Sequence, residues 1–195
     1  MPHPGSVDRM HLILRTLLVI ARAQALFRRG RTIGHYDVGR IRLRTLPTDL
    51  DLNGHMNNGV YFSMLDLGRF ELTIRSGIYA IFQERAWYPV VASETITFRK
   101  SLKLWQRFTI ESRIVGYDER AVLMDQRIVV RGEVYARAVI RARILSKTGG
   151  PVPMDEVLRA VGVPPQTLHT EDWIGRWATD VMLPSTRQPA PSEWE

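Results

Sequence analysis

Between Asn58 and about Arg75 the chain carries Val60, Tyr61, Phe62, Met64, Leu65, Leu67, Phe70, Leu72 and Ile74. At helical spacing these residues cover more than the narrow apolar stripe of a surface helix, so the helix they form has to be largely enclosed. Enclosing it requires a sheet, and the residues around it read as one. Val38 to Leu46 alternates, with Ile41 and Leu43 on one face and Arg40, Arg42 and Arg44 on the other. After the helix come Val90 to Arg99, Leu104 to Val115, Ala121 to Val130 and Glu133 to Leu145. In the second of these, Leu104, Phe108, Ile110 and Ile114 share a face opposite Arg107, Glu111 and Arg113. Arg131-Gly132 provides a tight turn between the last two strands. The final strand has Ala136, Ala138 and Ala142 along one face, small enough for a helix to approach closely. The expectation is a sheet of about five strands around one long helix.

The rest of the chain adds helices at both ends. Met10 to Phe27 reads as a helix whose apolar run is broken by Arg15 and Arg22 and followed by Arg28, Arg29 and Arg31. Those arginines make a clean membrane span costly. Three readings remain open: an amphipathic helix packed on the domain or a partner subunit, an interfacial membrane helix, and a processed or spanning segment. Pro153 to Ala160 can form a short helix ended by Gly162, Trp173 and Trp177 suit packing anchors on another, and Leu183 to Glu195 looks like a loose tail. The expected divisions are a leading helix over 1–34, a sheet-and-helix domain over 35–150 and a helical extension over 151–195.

Composition removes several function classes. The chain has no cysteine, which excludes disulfides, thiol nucleophiles and thiolate metal sites. A formal charge of +7 invites a nucleic-acid reading. The arginines, however, are scattered at strand-like spacings without a zinc-finger or helix-turn-helix pattern, and only three lysines occur. A basic surface that attracts an anionic substrate or membrane fits better.

The densest polar cluster, Thr48 to Asn58, lies between the first strand and the enclosed helix. It contains Asp49, Asp51, Asn53, Gly54, His55, Asn57 and Asn58. The aspartates could simply close Asx turns, and Asn57 or Asn58 could simply cap the helix. It holds no glycine-rich phosphate loop, nucleophile elbow or paired-histidine metal helix, and it lacks the closing glutamate of a calcium loop. A carboxylate can act as nucleophile or as general base toward water, and the N–H groups around Asn58 and Gly59 could stabilise an oxyanion.

The run Asp49 to Arg69, DLDLNGHMNNGVYFSMLDLGR, resembles the 4-hydroxybenzoyl-CoA thioesterase-like branch of the hot-dog superfamily. The likeness is closest to its thioesterase-superfamily member 6-like subset. It implies an α+β hot-dog fold, an antiparallel sheet of about five strands wrapped around one central helix, and acyl-CoA thioesterase activity. By the resemblance Asp51 is the catalytic aspartate and Asp66 the second-choice carboxylate, with Glu71 a weaker third. Asn53, His55, Asn57, Asn58 and Gly59 would shape the site, while Arg99 and Lys100 would contact coenzyme A phosphates. No cofactor or metal is implied, coenzyme A entering as part of the substrate. A homodimer or dimer of dimers is expected, in the cytoplasm, with peripheral membrane contact through the leading helix left open. A weakly catalytic acyl-lipid binder is the runner-up, and a dehydratase, which needs a better-placed histidine than His55, is third.

Overall fold

The computed structural model describes residues 5–184 and 188–192. The chain runs α1 (Gly5–Arg28), β1 (Gly39–Arg44), α2 (Asn58–Arg75), α3 (Ile78–Glu84), β2 (Trp87–Phe98), β3 (Arg107–Tyr117), β4 (Val122–Val130), β5 (Glu133–Ser146), α4 (Met154–Val161) and α5 (Asp172–Asp180). The strands form one antiparallel sheet in the order β1-β3-β4-β5-β2, the hot-dog arrangement. Alternation places Ile41, Phe108, Ile110, Met124, Ile128 and Ile140 in one buried core with Met64, Leu65, Leu67 and Leu72 of α2. Arg131 and Gly132 take φ of 50° and 84°, the paired positive values that a two-residue hairpin needs.

The helix can lie this close because Gly68 has no side chain. A Cβ there would sit 2.6 Å from Ser112 Oγ and 2.7 Å from Ile110 Cγ2. Beneath it Gln126 Nε2 donates to Leu65 O at 2.9 Å and to Ser112 Oγ at 2.7 Å, while Arg69 Nη1 donates to Gln126 Oε1 at 2.7 Å. The Gln126 and Ser112 side chains buried under α2 are therefore partnered, as burial demands.

Several boundaries differ from the sequence expectation. Leu104 is not a strand residue but lies in a turn, 43% exposed. Gln106 N donates to Lys103 O at 3.1 Å, and Trp105 takes a φ of 59°, so the alternation starts only at Arg107. Gly77, at φ 84°, ends α2 and also turns the chain directly into α3, whose Phe82 meets the Trp87 ring edge-on. The strand expected from Val90 begins at Trp87 and tolerates Pro89 because β2 is an edge strand.

Helix α1 packs on α2, burying Val19 and Ala23 and turning Ile13, Leu14, Leu17 and Leu18 outward. Among the described residues no helix is long and apolar enough to cross a membrane. Helix α5 covers the sheet face away from α2. Its Ile174 and Ala178 are buried against Val115, Leu123 and Val139, and Trp177 is half-buried beside them. The expected loose tail from Leu183 falls in part outside the described residues.

The contact at Gly68 is tight enough to test. Gly68→Ala should destabilise the protein by about 1–3 kcal/mol through overpacking, read as a lower urea midpoint with an unchanged slope.

Candidate active site

The loop after β1 is anchored by a buried carboxylate. Asp49 is 1% exposed. Its Oδ2 accepts Leu46 N at 2.7 Å, and its backbone O accepts Asn57 N at 2.9 Å. Arg15 reaches across from α1. Its Nη1 lies 3.1 and 3.0 Å from the two Asp49 oxygens, and its Nη2 donates to Arg44 O at 2.6 Å. One ion pair thus ties the leading helix, the end of β1 and the start of α2 together, using the fixed fork of a guanidinium.

Asp51 follows in a tight loop. Its N–H donates to His55 O at 2.8 Å and its O accepts Gly54 N at 3.1 Å, with Gly54 at φ 73°. The carboxylate Oδ1 accepts Asn53 N at 2.9 Å and His55 N at 3.3 Å. The Asx-turn geometry that composition allowed is therefore present. It holds one oxygen and leaves Oδ2 without a partner among the described residues. Met56 N donates to Leu102 O at 2.9 Å, and His55 forms a bridge with Lys103, so the loop is stitched to the segment before β3. Tyr61 backs the same segment, its hydroxyl accepting Leu102 N at 3.1 Å. Burial raises the Tyr61 hydroxyl above its usual pKa, and that hydrogen bond partly offsets the rise.

Asn57 is the helix cap, its Oδ1 accepting Gly59 N at 2.8 Å while its O accepts Val60 N at 2.9 Å. The Gly59 and Val60 N–H groups are consequently spent. Asn58 N–H is the first-turn donor that no other described group engages.

The other candidate residues lie apart from this loop. Asp66 is exposed on α2, about 12 Å along the axis from Asn58 at the helical rise, and pairs with Arg69. Arg69 also faces Glu94 of β2 at 3.9 Å. Burial pushes the Glu94 carboxyl up, while Arg69 pulls it down and Asp66 pushes it up further. Glu71 is buried rather than solvated and accepts Arg75 Nη1 at 3.0 Å. Arg99 and Lys100 both bond Glu133, at 2.6 and 2.8 Å, and hold that carboxyl below its usual range. Among the described residues no group of histidines and carboxylates could hold a metal ion.

Sequence reasoning missed Arg15 and Glu94. Arg15 did leave a signal, since an arginine interrupting an apolar helix needs a partner wherever that face is buried. Glu94 left none, because its neighbourhood exists only once β2 lies beside α2.

The model of the thioesterase-like superfamily matches residues 45–162. "Protein THEM6" of Xenopus laevis is 32% identical over 131 residues, covering 66% of this chain and 63% of that protein. The chain therefore spans less than two thirds of that relative's length. Among solved structures, the YbaW probable thioesterase of Escherichia coli superposes with a TM-score of 0.59 at 22% identity, covering 63% of this chain and 95% of that one. A thioesterase of Thermus thermophilus, complexed with coenzyme A and zinc, superposes with a TM-score of 0.53 at 24% identity, covering 68% and 100%. Both structural likenesses speak to the fold.

Two outcomes follow from the ion pairs. Arg15→Met leaves Asp49 buried without its cation and should cost about 3–5 kcal/mol, measured by chemical denaturation. Glu94 has a raised carboxyl in the folded state, so the folded protein binds its proton more tightly than the unfolded chain, and stability falls as pH rises past the ordinary carboxylate value of about 4.3. Glu94→Gln should therefore raise the melting temperature at neutral pH and leave it unchanged at a pH of about 3, where both states hold the proton.

Proposed function

The chain belongs to the thioesterase-like superfamily, and from that premise we propose that it is an acyl-CoA thioesterase in which Asp51 does the chemistry. The observation that carries this reading is the Asp51 carboxylate itself. Backbone N–H groups hold Oδ1, while Oδ2 has no partner among the described residues, in the loop that leads into α2. As general base, Oδ2 takes a proton from water as the water oxygen adds to the thioester carbonyl carbon. The oxyanion that forms is met by Asn58 N–H and the positive end of α2. Collapse breaks the C–S bond, and the thiolate leaves and takes up a proton, giving a carboxylate and a free thiol. As nucleophile, the same oxygen would add to the carbonyl directly and water would then cleave the acyl anhydride.

In this reading Asn53, His55, Asn57 and Gly59 keep the loop in shape. Asp66 serves as a supporting carboxylate through Arg69, and Arg99 and Lys100 offer cations to a coenzyme A phosphate by exchanging out of their contacts with Glu133. A homodimer would form along β2, a long edge strand that leaves Val90, Val91 and Phe98 exposed. The outward Ile13, Leu14, Leu17 and Leu18 of α1, with the arginines that follow, support peripheral contact with an anionic membrane surface. The second reading, acyl-CoA binding with little turnover, is favoured by the engagement of Asp51 Oδ1 in holding the loop.

Asp51→Asn separates these readings cleanly, because the amide oxygen can still accept from Asn53 and His55 N–H. The variant should fold and oligomerise normally and lose turnover by at least about 100-fold, measured as thiol release over short, medium, long and aromatic acyl-CoAs. A folded variant with undiminished release would remove Asp51 from the chemistry. Ligand retained by the wild type with no thiol release on any substrate would select the binding reading.

A further inference from the structure

Where β1 ends, β3 begins and β4 turns into β5, the surface opens into a groove of about 1370 Å3. Its walls carry Arg42, Arg44, Arg107 and Arg131, with Trp105 beside them, and among the described residues no carboxylate lines it. None of these four arginines makes a side-chain hydrogen bond or ion pair among the described residues. Arg44 and Arg107 are direct partners in the β1–β3 register, so two like charges face each other across the sheet, an arrangement that destabilises a strand pair.

The same sheet shows how such a pair is handled when its role is structural. Arg127 and Arg137 are also direct partners, between β4 and β5. Asp125 lies between them at 3.2 and 2.9 Å, with its own side chain 2% exposed, and Glu171 adds a further carboxylate to Arg137. Among the described residues the Arg44–Arg107 pair has no such anion. Beside it Trp105 is 53% exposed and sits at φ 59°, a turn conformation that glycine or asparagine adopts far more readily. An uncompensated arginine pair, two further free guanidiniums and an exposed aromatic in a strained turn are more than a solvated basic surface requires.

We propose that this groove is a site for a phosphate-bearing small molecule of the nucleotide type. Arg44 and Arg107 share one phosphate and supply the missing neutralisation. Arg42 and Arg131 serve a second phosphate, and Trp105 offers a ring face to a base. The site stands on its own residues and does not require Asp51 to turn over a thioester. The phosphates could belong to the nucleotide end of an acyl-CoA or to a separate nucleotide, and the shared chemistry is the same.

Calorimetric titration of the full chain with adenosine 3′,5′-bisphosphate tests it. The expected result is binding that weakens with salt and is at least tenfold weaker in Arg44→Gln/Arg107→Gln. Arg113→Gln, on the same sheet face but outside the groove, should bind as the wild type does. The double variant should melt no lower than wild type without ligand, since it removes a repulsion, and should lose the ligand-induced rise in melting temperature. Absence of binding in the wild type, equal weakening in Arg113→Gln, or full binding in the double variant would overturn the proposal. Adenosine and inorganic pyrophosphate, titrated separately, divide the base from the phosphate contribution, and Trp105→Ala should weaken only ligands that carry the base. Displacement of the bisphosphate by a non-hydrolysable acyl-CoA would identify the substrate's own nucleotide as the source, and its retention would identify a separate ligand. Running both titrations in Asp51→Asn keeps this outcome apart from the fate of the catalytic reading.

Discussion

Contact between α2 and the sheet at Gly68 is the constraint from which the rest of the molecule follows. With no side chain at that point, the helix axis drops until Leu65 O can accept from Gln126 and the backbone comes against Ser112 and Ile110. That depth sets where the first turn of α2 emerges, and with it the position of Asn57, Asn58 and the loop that precedes them. A bulkier residue there would lift the helix and carry the candidate catalytic loop with it, although nothing at Gly68 touches that loop.

The loop is then fixed from a second side. Asp49 is buried and takes hydrogen bonds from the chain around it, but its charge is compensated from α1, a helix remote in sequence. Asp51, two positions on, inherits that rigidity through backbone bonds to Gly54 and His55. The arrangement separates two carboxylates that composition alone makes equivalent. One is held by an arginine and serves the scaffold, while the other keeps one oxygen without a partner among the described residues. Similarity to thioesterases is what connects that oxygen to a reaction, since the geometry by itself describes only an oriented carboxylate in a tight loop.

Charge on the outer face of the sheet follows a related division. Arginines recur on alternate positions of β1, β3 and β5, which the alternation of a half-buried strand places on one surface. Arg40, Arg137 and Arg141 are answered locally, by Glu111, by Asp125 with Glu171, and by Asp118. Among the described residues Arg42, Arg44, Arg107, Arg113 and Arg143 have no carboxylate partner, and the first three of them line one groove where β1 ends and β3 begins. A basic isoelectric point could not reveal that difference, because it counts charges without saying which of them meet.

Periodicity alone determined that a long helix would be enclosed by about five strands, since helical and strand spacings are local properties of neighbouring residues. It also located the polar loop, the Arg131-Gly132 turn and a cap at Asn57 or Asn58, all of which depend on residues a few positions apart, and the structure gave that cap to Asn57. The turn at Leu104–Trp105 and helix α3 escaped it, because a left-handed tryptophan and a glycine that starts a helix while ending another run against local preference. The pairing of Arg15 with Asp49, the burial of Glu71, the approach of Glu94 to Arg69 and the register that sets Arg44 against Arg107 were decided only by the tertiary structure. Nearly all of these are meetings between segments distant in the chain, and the energy of such a meeting depends on distance and burial that no local pattern encodes.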